Sequence, residues 1–151
     1  MFLKEKHFSR IIEHAPLVSI DLIVEDECGQ VLLGERLNRP AQGFWFVPGG
    51  RILKGEMLED AFVRLTQEEL GQEFELVQAK LLGPYTHIYD DNVFSNEFTT
   101  HYVAIAYKLT VIRSELNLPL NIQHSRYQWC DKSELLTNDK VHTHTKWYFQ
   151  N

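Results

Sequence analysis

The residues with the most chemical content lie between Gly49 and Gly71. Gly49-Gly50-Arg51-Ile52-Leu53-Lys54-Gly55-Glu56 reads as a glycine-rich turn, and seven residues later Arg64-Leu65-Thr66-Gln67-Glu68-Glu69-Leu70-Gly71 closes a helix. Glycines let backbone carbonyls and amides approach a ligand closely. Glu69 follows Leu65 by four residues and Phe62 by seven, so it continues the inward stripe of Leu58, Ala61, Phe62 and Leu65. A carboxylate on a buried stripe is costly unless something compensates it. A divalent cation does so, and Mg²⁺ takes oxygen ligands while leaving room for substrate phosphates. Arg64 and Glu68, four apart, are placed to pair on the neighbouring face. Without a cation, the same stretch is a solvated acidic helix after a tight turn. Asp21, in the middle of the apolar run LVSIDLIV, needs a partner of its own.

Pattern along the chain assigns the elements that carry these groups. Residues 5–14 have Phe8, Ile11 and Ile12 on one side and read as a short helix stopped by Pro16. Residues 17–24 read as a buried strand, rich in β-branched side chains. After a turn at 25–29, residues 30–36 return as the second arm of a hairpin. A loop over 37–43 leads to the aromatic strand 44–47, ended by Pro48-Gly49-Gly50. The helix spans 57–70, with Gly71 at its end. Two long strand regions are expected at 75–89 and 97–111, with a bend at Pro84. A loop over 117–125 holds Gln123 and His124. A last strand over 127–130 precedes helical segments at 133–136 and 141–149. This is an α+β pattern.

Composition narrows the classes. At 151 residues the chain suits one domain, and a net charge of −6 argues against a broad nucleic-acid surface while leaving room for a phosphate-bearing small molecule held by a few local cations. Cys28 and Cys130 form neither a disulfide framework nor a zinc-ligand spacing. No apolar run has the length of a membrane span, and residues 1–7 lack the apolar core of a signal peptide, so a soluble cytoplasmic protein is expected.

Gly50, Glu56, Arg64, Glu68, Glu69 and Gly71 match six fixed positions over 22 residues of the Nudix box, G-x5-E-x7-R-E-U-x-E-E-x-G-U. The chain resembles the Nudix family on these residues and on its order of strand, hairpin, loop-helix-loop and further strands. The resemblance implies an α/β/α sandwich with a mixed sheet and a single Nudix domain over residues 1–151. Two positions depart from the box. Leu65 stands where the pattern has a Glu that serves ordinary Nudix pyrophosphohydrolases in metal binding and often in water activation, and Gln72 replaces an apolar residue. A box modified in this way, together with the run from Arg36 through Pro40-Ala41-Gln42-Gly43-Phe44-Trp45 to Arg51, resembles the GDP-mannose mannosyl hydrolases within that family. Pro16-Leu17-Val18-Ser19, Tyr89-Asp90-Asp91-Asn92, Phe98-Thr99-Thr100-His101-Tyr102 and Gln123-His124 add to that likeness.

That resemblance implies hydrolysis of GDP-mannose, with GDP-glucose as a further substrate, by water attack at the anomeric carbon with inversion. It implies His124 as general base, for which an ordinary pKa of about 6.5 suits neutral pH. By itself a loop histidine reads as a surface residue. The implied Mg²⁺ ligands are the Gly49 carbonyl, Glu69 and Gln123. Arg36 and Arg51 match cations at the diphosphate, where guanidinium forks fit phosphate oxygens, and Tyr102 matches a donor to it. Asp21 and His87 match sugar-side contacts. Phe2, Leu3 and Phe8 match an N-terminal part packed on the nucleotide, although core packing is the ordinary role of Phe8. Glu56 is expected to brace the loop through Arg64 or backbone amides. A homodimer is also implied. Two other readings stay open: a pyrophosphohydrolase cleaving P–O in a nucleoside diphosphate sugar with a displaced base, and a nucleotide-sugar-binding protein with an inactive box.

Overall fold

The computed structural model describes residues 3–119 and 126–150, with the backbone alone at 124 and 125. Helix α1 spans Glu5–His14 and leads into strand β1, Leu17–Glu25. Strands β2, Val31–Arg36, β3, Trp45–Phe46, and β4, Gly49–Arg51, precede helix α2, Leu58–Leu70. Strands β5, Lys80–Tyr89, β6, Thr100–Thr110, and β7, His124–Cys130, come next. Helices α3, Lys132–Thr137, and α4, Thr143–Lys146, end in a 3₁₀ turn at Trp147–Phe149.

One mixed sheet joins the seven strands in the order β3-β2-β1-β6-β5, with β4 on β1 and β7 on β2. Strands β1 and β6 are parallel, with Ile20 opposite Ile105, and the other pairs are antiparallel. Period-two alternation sends Ile20, Leu22 and Val24 to one face, where they meet Ala61, Phe62, Leu65 and Leu70 of α2. It sends Ile23, with Val31, Leu33 and Ala106, to the other face, against Leu135, Val141, Tyr148 and Phe149 of the C-terminal segment. This is the expected α/β/α sandwich. Fully burying each such aliphatic or aromatic side chain contributes about 1.5–3 kcal/mol relative to exposure.

Strand β1 changes partners along its length. It meets β2 only at Glu25↔Val31, and along Ser19–Asp21 the same sheet is continued by β4. Leu22 N–H also donates to the Pro48 carbonyl at 2.8 Å. Gly49 is required for this approach, since a Cβ there would lie 2.4 Å from the Ile20 carbonyl oxygen. Gly71 terminates α2 in the left-handed region, at φ 71°, and donates to Gln67 O.

The strand expected from 75 starts at Lys80, behind a 3₁₀ turn at Leu76–Gln78, and three further differences bear on the site. Gly49-Gly50-Arg51 is a strand rather than the turn that glycines suggest, because its partner β1 supplies the ladder. The bend in β5 sits at Gly83, with φ 124° and a register shift after Leu81, one residue before Pro84. His124 begins β7 instead of ending a loop, and its backbone lies opposite Arg36.

Candidate functional site

The box loop is held by one arginine. Arg64 donates from Nε to Glu56 Oε2 at 2.7 Å and from Nη2 to Glu56 Oε1 at 2.9 Å. Its Nη2 also donates to the Arg51 carbonyl at 3.0 Å, and Nη1 donates to Glu68 at 3.1 Å. Glu56 Oε1 accepts the Leu53 N–H as well, at 3.0 Å. Both braces expected for Glu56, Arg64 and a backbone amide, are present. The Arg64 guanidinium holds the Glu56 carboxyl below its ordinary range.

Glu69 is 5% exposed and accepts the Gly49 N–H at 3.0 Å. The predicted burial of this carboxylate on the inward stripe is correct. One turn earlier on the same face, Leu65 is 2% exposed. A Cβ added at Gly50 would come within 2.5 Å of its Cδ2, so the leucine methyl occupies the space above the Gly50 backbone. Position 65 is thus a core position as well as a box position.

A cavity of about 330 Å³ lies beside these groups. Leu65, Glu68 and Glu69 of α2 line one side, with the backbone of Gly49 and Gly50, while the β4 register turns Arg51 to the Asp21 face. Asp21, Arg36, His87, Tyr89 and Tyr102 form the other side, from β1, β2, β5 and β6. The cavity therefore draws on both faces of the sheet. Arg36 stacks over Phe46 at 5.3 Å from the ring centroid, and Arg51 lies over Phe8 at 4.4 Å. Phe8 also meets Phe94 edge-on at 6.0 Å, so one of its faces is taken by Arg51 and it is packed between neighbours.

Asp21 has the partner its surroundings demand. Tyr148 donates its hydroxyl proton to Asp21 Oδ2. Burial pushes the Asp21 carboxyl up to about 6; the Tyr148 bond and Arg36 oppose the shift and Glu69 adds to it. His87 Nδ1 lies 4.0 Å from the same oxygen. The His87 ring stacks on His144 at 4.4 Å and 7°, and burial followed by repulsion from His144 lowers its pKa to about 4, so it is neutral at neutral pH. Burial keeps Tyr102 protonated, with its pKa above the ordinary value despite Arg36 and Arg51, and so able to donate.

The structure brings together Asp21, Arg36, Gly49, Arg51, Glu69, His87, Tyr102 and Phe8 around one cavity. Leu3 is exposed and does not line it, because only Phe8 and Ile12 of the described N-terminal segment reach that far. Phe2, Gln123 and the side chain of His124 lie outside the described residues. Tyr148, Tyr89 and His144 were not anticipated by sequence reasoning. Tyr85, His87 and Tyr89 alternate on β5 and share a face, a pattern that could have flagged Tyr89. The donors of Glu69, Glu68 and Asp21 that face the cavity are all hard oxygens, a set that fits Mg²⁺ better than a soft transition metal. A second acidic group, Asp26 with Glu27 and Cys28, sits in the β1–β2 turn, where Arg113 binds Asp26 Oδ2 at 2.5 Å. Among the described residues no helix is long and apolar enough to cross a membrane.

Known proteins are similar to this chain in sequence and fold. Residues 15–150 match the NUDIX domain. The low-salt glycan biosynthesis protein Agl8 of Haloferax volcanii is 40% identical over 124 residues, which are 82% of this chain and 76% of that protein. An ADP-ribose pyrophosphatase of Methanocaldococcus jannaschii is 35% identical over 101 residues, 67% of this chain and 54% of that one. Among solved structures, a MutT Nudix hydrolase from Burkholderia pseudomallei superposes with a TM-score of 0.73 at 26% identity, covering 90% of this chain and 97% of that one. With the box loop, the sandwich and the cavity in agreement, the chain belongs to the Nudix hydrolase family.

Proposed function

We propose that this Nudix hydrolase cleaves GDP-mannose, with GDP-glucose as a further candidate substrate, to GDP and the free sugar by attack of water on the anomeric carbon. The observation that carries this reading is the fate of position 65. The box keeps Glu69 beside Gly49 but packs Leu65 on Gly50, so the carboxylate that would serve attack at phosphorus is missing, while polar groups gather on the opposite wall. Similarity to a glycan biosynthesis protein supports a nucleotide sugar as substrate.

On this reading a water oxygen bonds to the anomeric carbon as its bond to the diphosphate oxygen breaks, with inversion. The electron pair leaves with GDP, and the proton of the water passes to a base, for which His124 is the candidate. Arg36 and Arg51 meet the charge that develops on the departing diphosphate, and Tyr102 donates a hydrogen bond to it. Asp21 and His87 hold sugar hydroxyls, which orients the anomeric carbon toward water. Glu69 and the Gly49 carbonyl would hold Mg²⁺, with Gln123 as a further ligand. When bound, that ion neutralises diphosphate charge. One domain carries all of these groups, and a homodimer in the cytoplasm is its proposed setting.

Hydrolysis in ¹⁸O-labelled water tests the reaction. The expected product is labelled mannose with unlabelled GDP, formed only with a divalent cation, and lost in His124→Gln with ligand binding kept. Label in GMP or in a sugar phosphate would support the second reading, a pyrophosphohydrolase cleaving P–O. The likeness to an ADP-ribose pyrophosphatase and the presence of Glu68 beside Glu69 at the cavity favour that second reading. Binding without turnover would leave a nucleotide-sugar-binding protein.

A further inference from the structure

We infer that Tyr148, on the C-terminal 3₁₀ turn, is a positioning residue that orients Asp21 for the sugar, so that this turn completes the cavity from behind. This inference rests on the proposed sugar-side role of Asp21. Tyr148 does not line the cavity. Its hydroxyl reaches Asp21 Oδ2, and it lies 3.4 Å from His87 Nε2. The other Asp21 oxygen, Oδ1, is packed beside Gly49, where a Cβ would come within 2.7 Å of it. The carboxylate is therefore gripped at one oxygen by the phenol and confined at the other by the β4 backbone. Its remaining freedom is small, and 20% of the side chain stays exposed.

A carboxylate accepts, so the Tyr148 hydroxyl donates to Asp21, and the same hydroxyl lies 3.4 Å from His87 Nε2. The phenol is itself held firmly. It packs edge-on against Tyr85 at 4.7 Å. The neighbouring turn is anchored by His142, which accepts the His144 N–H at Nδ1, donates its backbone N–H to Trp45 O at 3.0 Å and stacks on Phe46 at 4.7 Å. The His144 ring in turn stacks on His87. A segment 127 residues away in sequence thus sets the position of two cavity groups.

A double-mutant cycle on GDP-mannose hydrolysis tests this, with wild type, Tyr148→Phe, Asp21→Asn and both together. Tyr148→Phe keeps the ring packing, so thermal stability is monitored alongside. The expected result is a fall in kcat on the order of 10–100-fold for Tyr148→Phe, the scale on which a misplaced group costs rate, with KM changed far less. The double variant should be no slower than Asp21→Asn alone. Multiplying effects in the double variant, or an unchanged kcat in Tyr148→Phe, would overturn the inference while leaving the reaction intact. A wild type that releases no GDP and mannose would overturn the proposed function and this inference with it. If Tyr148→Phe unfolds, Tyr148→Leu, which also lacks the hydroxyl donor, replaces it in the same cycle, and additivity there refutes the inference equally.

Discussion

Replacing Arg64 with Met should loosen the box loop by a measurable and pH-dependent amount. Met preserves much of the apolar stem while removing every N–H that ties the loop to α2. Three hydrogen bonds to the loop disappear, two to Glu56 and one to the Arg51 carbonyl, together with the Arg64–Glu68 contact within α2. Hydrogen bonds to charged groups contribute roughly 1.5–3 kcal/mol each when deleted singly, and bonds sharing one donor group do not add. The Arg64 and Glu56 side chains are 23% and 16% exposed, so water partly replaces the lost partner, and the whole loss is about 2 kcal/mol. For a chain of this size that is a fall in Tm of about 4–8 °C. Glu56 sets the sign of the pH dependence. Its folded pKa is depressed from 4.5 by Arg64, so its contribution is complete above about pH 4.5 and disappears as pH falls through the folded value. The stability gap between wild type and Arg64→Met should therefore be widest at neutral pH and close in acid. Calorimetry or chemical denaturation from neutral pH down through the carboxylate range measures it. An unchanged Tm at neutral pH, or a gap that does not narrow in acid, would show that the loop is held by something other than this carboxylate pair.

Leu65→Glu, which restores the family box residue, should not raise GDP-mannose hydrolysis and should lower stability. The lost core leucine alone accounts for about 2–5 kcal/mol, and a buried carboxylate adds to it; a large gain in turnover would mean the base has been misassigned. Thermal stability should decline as pH drops from about 6.5 toward 4. His87, His142 and His144 are each held near 4 by burial and by one another, so the unfolded chain takes up their protons first. Asp21, raised to about 6, works in the opposite sense over part of that range, but it is one group against three. His144→Phe should flatten the decline in a Tm series, and an unaltered slope would count against the buried-histidine account. Glu69→Gln should weaken Mg²⁺ activation about tenfold or more, as read from metal titrations of activity, on the order seen when metal-site partners are removed.

Much of the scaffold was legible because it is written in local pattern. A β-branched run located β1, the turn after it located β2 as the second arm of a hairpin, the stripe through Phe62, Leu65 and Glu69 located α2 and its buried carboxylate, and Gly71 marked its end. The pair of Arg64 with Glu68 followed from spacing alone. Local pattern failed where a distant partner decides the outcome. Pro48-Gly49-Gly50 has turn composition, yet Gly49 and Gly50 join a strand because β1 presents a free edge to them. His124 joins β7 because β2 lies alongside. That Asp21 must have a partner could be argued from its place in an apolar run, yet nothing near it in sequence names Tyr148, which the fold delivers from 127 residues away.

The two walls of the cavity also explain why a box residue could be given to the core. The ordinary Nudix box offers a carboxylate at position 65, on the α2 face, for attack at phosphorus. The proposed attack at the anomeric carbon would move the reacting centre toward the sugar-side groups Asp21 on β1 and His87 on β5. On that proposal the α2 face has only to join Arg36, Arg51 and Tyr102 in holding the diphosphate, through Glu69 beside Gly49. Position 65 is buried about one helical turn from Glu69, roughly 6 Å along the axis. An apolar side chain there stabilises the sandwich by packing on Gly50. The proposed chemistry and the leucine thus support each other: the more the reaction depends on the far wall, the less a carboxylate at position 65 could contribute, and the more its burial would cost.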